Sequence, residues 1–136
     1  RLHRRAAEDP RARLSRKGHY FEPTVIVGAT QDMKVMIDES FGPIIGIQSV
    51  PDDERALALM NDTEYGLTAG VYLKDRRRAE HILRGVHAGS AYWNCCDRVS
   101  PRLPWAGRGH SGVGSTLSKS GILAFTQPKA WHLKKA

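Results

Sequence analysis

Residues 67–94 read LTAGVYLKDRRRAEHILRGVHAGSAYWN, and the order of patterns inside them decides the fold. Leu67–Leu73 is a short apolar run holding Val71 and Tyr72, the composition of a strand. Asp75 stands where a carboxylate accepts from the free amides of a first helical turn, so a helix is expected to start there. In the following RRRAEHILRGVHA, Ala79, Ile82, Leu83 and Val86 recur at helical spacing and share one face. SAYWN, residues 90–94, is strand-like again. Two strands joined through a crossover helix run parallel.

Upstream the alternation repeats. IIGIQSV at 44–50 reads as a strand, and Asp52 or Asp53 caps ERALALMND, where Ala56, Leu57, Leu59 and Met60 form an apolar stripe. Gly66 ends that unit. Residues 44–94 therefore predict a βαβαβ unit of an α/β fold on a parallel sheet. YFEPTVIVG, after Pro23, supplies a further strand, and TQDMKVMIDES a turn or two of helix. A helix near 116–125 and a closing strand near 129–134 complete the expectation. Open parallel sheets bind ligands beyond the carboxyl ends of their strands. That marks the loop CCDRVSPRLPWAGRGHSGVG, residues 95–114, as the place for a site.

The chain has 136 residues, enough for one domain with a modest core, and its net charge of +7 raises nucleic acid as a partner. The distribution of charge argues otherwise. Residues 1–17 hold six arginines and Lys17 against Glu8 and Asp9, or +5, which leaves +2 for all the rest. The excess belongs to a basic tail, residues 1–17, of unclear origin, set apart from a domain at 18–136; no nucleic-acid partner is expected. No apolar run approaches the roughly 20 residues that span a bilayer, so no membrane is expected either. No basic-then-apolar leader opens the chain, and a cytoplasmic location is expected. The first residue is Arg1, which suggests a processed or excised piece.

The only two cysteines, Cys95 and Cys96, are adjacent. Adjacent cysteines bridge only through a strained eight-membered ring. With His110 they make a poor zinc set, since zinc wants about four ligands in spaced pairs. Arg98, Arg102, Arg108 and His110 leave a nucleophilic thiol open. The plainer reading is a pair of small apolar residues ending a buried strand.

FGPI (41–44), NDTEYGLTAGVY (61–72), WNCCD (93–97) and LPWAGRGHSGVG (103–114) together resemble the C-terminal quarter of the NAD(P)-dependent aldehyde dehydrogenases. The motifs come in order and at the right separations from about Gly18 to the end. The resemblance implies the C-terminal half of that family's catalytic domain plus a final strand that joins a neighbouring subunit, hence a homo-oligomer. It implies oxidation of an aldehyde substrate to a carboxylic acid with NAD or NADP. The family's nucleophilic cysteine and its general-base glutamate lie upstream of these motifs, so Cys95 and Cys96 are not the nucleophile and this chain by itself is expected to be inactive. Glu39 and Phe41 match the family's Glu-x-Phe-Gly-Pro, whose Glu accepts from the nicotinamide ribose while the Phe packs beside it. Trp105 takes the position of a tunnel aromatic, and Arg98 and Val99 line up with the tunnel mouth.

Trp at that position resembles the betaine and aminoaldehyde dehydrogenases, because an indole face holds an ammonium by cation–π attraction of about 0.5–2 kcal/mol. Arg98 opposes such a substrate and favours an acidic aldehyde. Ser115 and Thr116 stand where the family usually writes Arg-Glu. FTQPKAWHLKK resembles the family's final strand, and Pro128 is tolerable there because an edge strand can spare an amide donor. The alternative reading is a stand-alone, non-catalytic truncation product or interaction module.

Overall fold

The computed structural model describes residues 2–3, 18–95 and 98–135. Most of the basic tail (1 and 4–17), Cys96 and Asp97 lie outside the described residues. The chain divides into two compact units, residues 1–56 and 57–136.

The first unit is a three-stranded sheet in the order β1-β2-β3: β1 (Leu2–His3), β2 (Thr24–Val27) and β3 (Ile44–Ile47). β2 runs parallel to β3 with Thr24 opposite Ile44 and Val27 opposite Ile47, and β1 lies antiparallel to β2. Within the basic tail, the backbone of Leu2–His3 extends the sheet. α1 (Lys34–Ile37) connects β2 to β3, and Met36 occupies the space a Cβ would need at Gly46. A larger residue at that point of β3 would require the Met36 side chain to shift.

α2 (Asp53–Met60) is capped by Asp52, whose Oδ1 accepts the Arg55 amide at 2.7 Å. In the second unit β4 (Thr68–Val71) and β5 (Ser90–Trp93) are parallel, with Thr68 opposite Ser90. α3 (Arg76–Gly85) crosses between them, and the Asp75 side chain accepts the Arg78 amide at 3.1 Å, so the expected cap is present. The face read from spacing is the buried one: Ala79, Ile82 and Val86 are all under a tenth exposed. Ala79, Ile82 and Val71 form the core, with Leu57, Met60, Leu73 and Leu83 packed against it. Two small strands, β6 (Trp105–Ala106) and β7 (Ser115–Thr116), pair antiparallel, and α4 (Ser118–Leu123) follows.

The α/β class with parallel strands stands, and two details differ from expectation. The strands fall into separate sheets: β2 is the parallel partner of β3, and β5 that of β4. Periodicity dictates which segments are strands, whereas pairing depends on which backbone edges meet. No strand forms among the described residues at 126–135. A strand exists only through a ladder with a neighbour, and this segment has none within the described chain.

Candidate functional site

Glu39 and Phe41 lie on the loop between α1 and β3, in the first unit. That loop is pinned where it enters the sheet. The Pro43 carbonyl accepts the Thr24 amide at 2.8 Å, and the Gly42 carbonyl accepts the Ile44 amide at 2.8 Å. Glu39 is exposed, and no other described residue bonds its side chain; Phe41 is 94% exposed. A free carboxylate offers both oxygens as acceptors, and the Phe41 ring, two residues on, is an uncovered apolar face.

Arg98, Val99 and Trp105 belong to the second unit. Their loop leaves the carboxyl end of β5 through Asn94, whose φ of 52° is left-handed. The Asn94 side chain then works as an extra ladder rung. Its Oδ1 accepts the Leu73 amide at 2.9 Å and its Nδ2 donates to the Leu73 carbonyl at 2.8 Å. The Trp93 indole Nε1 donates to that same carbonyl at 2.9 Å. Next come Arg98 and Val99, both exposed; the Arg98 carbonyl accepts the Tyr92 hydroxyl at 3.5 Å.

The loop does not stay at the carboxyl edge. By Ala106 it has returned to the amino end of β5, where the Ala106 carbonyl sits against Gly89 and leaves no room for a Cβ. Trp105, half-buried, opens β6 immediately before this contact. The structure therefore brings Arg98 and Val99 close to the carboxyl end and Trp105 close to the amino end, the two ends of one loop that recrosses the sheet.

The glycine-rich turn beyond is docked on residues 64–66. The Gly66 carbonyl accepts two amides, from Gly89 at 2.9 Å and from Arg108 at 3.0 Å, and the Gly66 amide donates to Ser111 Oγ at 3.0 Å. The His110 amide donates to the Glu64 carbonyl at 2.8 Å, His110 Nδ1 lies 3.1 Å from Glu64 Oε2, and the Tyr65 ring meets His110 edge-on. Sequence reading missed this hub and the Asn94 clasp. Two glycines at the amino ends of successive parallel strands, and an asparagine closing the second, were the available signals. Cys95 is a half-buried free thiol at the end of β5, while Cys96 lies outside the described residues. Among the described residues no group of three or more His, Cys, Asp or Glu is placed to hold a metal.

The aldehyde dehydrogenase family model matches residues 6–131. The chain belongs to the aldehyde dehydrogenase family. The match begins upstream of Gly18, where the motifs start. A chloroplastic betaine aldehyde dehydrogenase of Atriplex hortensis is 37% identical over 107 residues, covering 79% of this chain and 21% of the relative. A peroxisomal aminoaldehyde dehydrogenase of Malus domestica is likewise 37% identical over 107 residues, with the same coverage. Among solved structures, a lactaldehyde dehydrogenase superposes with a TM-score of 0.85 at 29% identity, covering 90% of this chain and 26% of its own. A betaine aldehyde dehydrogenase of Staphylococcus aureus, solved in complex with NAD+, gives 0.76 at 31% identity, covering 78% and 21%. The chain spans about a fifth of the length of the curated relatives it matches. No helix among the described residues is long and apolar enough to cross a membrane.

Proposed function

We propose that the chain is the C-terminal part of an NAD(P)-dependent aldehyde dehydrogenase that oxidises an aldehyde to a carboxylic acid. In this reading it supplies a cofactor-ribose contact, part of the substrate-tunnel wall and an oligomer strand. The observation that carries the reading is the exposed pair Glu39 and Phe41, a free carboxylate and, two residues on, a ring 94% exposed, on a loop pinned through Gly42-Pro43. NAD or NADP, when bound, accepts a hydride from the substrate. Glu39 accepts from the two ribose hydroxyls, and Phe41 covers the adjoining apolar face. Trp105 walls the tunnel, with Arg98 and Val99 at its mouth. The segment near 129–134 adds a strand to a second copy of the chain. Its compartment is the cytoplasm in this reading, although curated relatives include chloroplastic and peroxisomal enzymes. Cys95 lies two residues past the end of β5 and takes no part in catalysis, and these 136 residues alone do not turn over aldehyde.

The test uses the intact polypeptide that contains this chain. NAD(P)H absorbance is followed with quaternary-ammonium, amino and carboxylate-bearing aldehydes. Glu39→Gln should raise the KM for cofactor about tenfold, the effect of weakening a charge-assisted hydrogen bond. Trp105→Ala should raise the KM of the best aldehyde about tenfold with the cofactor KM unchanged. No turnover with any aldehyde would favour a non-catalytic interaction module, and unchanged KM values would remove the assigned roles.

A further inference from the structure

We propose that Asn94 is the positioning residue for the substrate-facing loop, acting through the backbone of Leu73. The inference rests on the reading that Arg98, Val99 and Trp105 face substrate, and it adds the residue that holds them there.

β5 donates its last backbone rung through the Asn94 amide, 2.9 Å from the Val71 carbonyl. One residue further, a backbone rung would continue the strand and carry the chain straight on. The left-handed φ of Asn94 turns the chain out of the sheet instead. The turn would leave Leu73 without its partner, and the carboxamide of Asn94 replaces it, since it presents the same N–H and C=O as a peptide group. Asparagine is the residue suited to both tasks. It tolerates the left-handed region better than other residues with a Cβ, and its amide both donates and accepts. The Leu73 carbonyl is further held by Trp93 Nε1, so the clasp joins the end of β4, the end of β5 and the root of the loop.

The other end of the loop is tied separately, through Ala106 against Gly89 and Arg108 on Gly66. Arg98 and Val99, exposed and close to the Asn94 end, have their direction set by that end; Trp105, close to the second anchor, is less affected. Loss of the clasp should therefore act on the mouth of the tunnel while the cofactor contact in the first unit is untouched.

The experiment is made on the intact polypeptide. Asn94→Gly keeps the backbone conformation, because glycine adopts positive φ without strain, and removes only the carboxamide. Hydrogen exchange of the Leu73 amide and of the amides at 98–104 should accelerate about tenfold or more as the anchoring bonds are lost. The aldehyde KM should rise about fivefold with kcat changed less than twofold and the cofactor KM unchanged. Asn94→Asp retains the acceptor for the Leu73 amide and loses the donor, so it should restore part of both effects. A lowered melting temperature with unchanged exchange at 98–104 would mean a purely structural asparagine and overturn the proposal. Faster exchange with an unchanged aldehyde KM would overturn it too. If the unsubstituted polypeptide turns over no aldehyde, the functional reading fails, and the exchange rates of Asn94→Gly alone decide whether Asn94 holds the loop.

Discussion

At the scale of single residues, the side chains differ in what makes them recognisable. Glu39 and Phe41 are legible because they stand in a short local motif closed by Gly42-Pro43. Asn94 was invisible as an anchor, because its function depends on Leu73, 21 positions away in sequence. A third case is Asp32, which accepts the Thr30 hydroxyl. That bond, first, and a bond from its own backbone hold the Asp32 carboxyl below its ordinary value of 3.8. A depressed folded-state pKa contributes stability above 3.8, and the contribution is lost as pH falls through the folded value. Thr30→Val should therefore lower the melting temperature slightly near pH 7, and the gap should close below about pH 3.8, the ordinary carboxyl value. Melting curves from pH 7 to 2.5 check this, and a gap that widens in acid would contradict it.

At the scale of elements, the helices were the most readable parts. Asp75 caps α3 as its position implied, with three arginines following in a first turn that holds no acidic residue. Those arginines oppose the helix dipole, so the cap is the main local support of that end. Asp75→Ala should cost about 1 kcal/mol in urea unfolding of the intact polypeptide. A loss below a few tenths would mean that packing of Ala79 and Ile82 alone holds the helix. Gly89, by contrast, carries no local signal in the sequence. The structure gives it a reason, since Ala106 lies where its Cβ would be.

At the scale of the whole molecule, the apolar surface is too large for the core. Buried apolar side chains among the described residues are Ala29, Val71, Ala79, Ile82 and Val86, whereas Phe41, Val113, Phe125 and Leu133 are more than four-fifths exposed. β4 and β5 form a two-stranded sheet whose outer edges have no partner among the described residues. Unpaired edges and exposed apolar side chains promote association. Residues 1–136 expressed alone should elute from a sizing column as oligomers or aggregates and produce no NAD(P)H from any aldehyde. Turnover above the buffer blank that thiol alkylation abolishes would overturn both the inactivity and the structural role of Cys95.

The sequence by itself determined which segments are helices and strands from 24 to 94, the parallel sense of β4 and β5, the buried face of α3, the cap at Asp75, and the family. These are local properties: side-chain period, capping chemistry and short motifs are written within a few residues of one another. Only the tertiary structure decided that β3 pairs with β2, that Leu2–His3 joins a sheet, that 126–135 finds no strand partner among the described residues, and that the Trp105 loop recrosses the sheet between anchors at Leu73 and Gly66. Those outcomes depend on which backbone donors and acceptors meet across dozens of residues, and no local pattern encodes such a meeting.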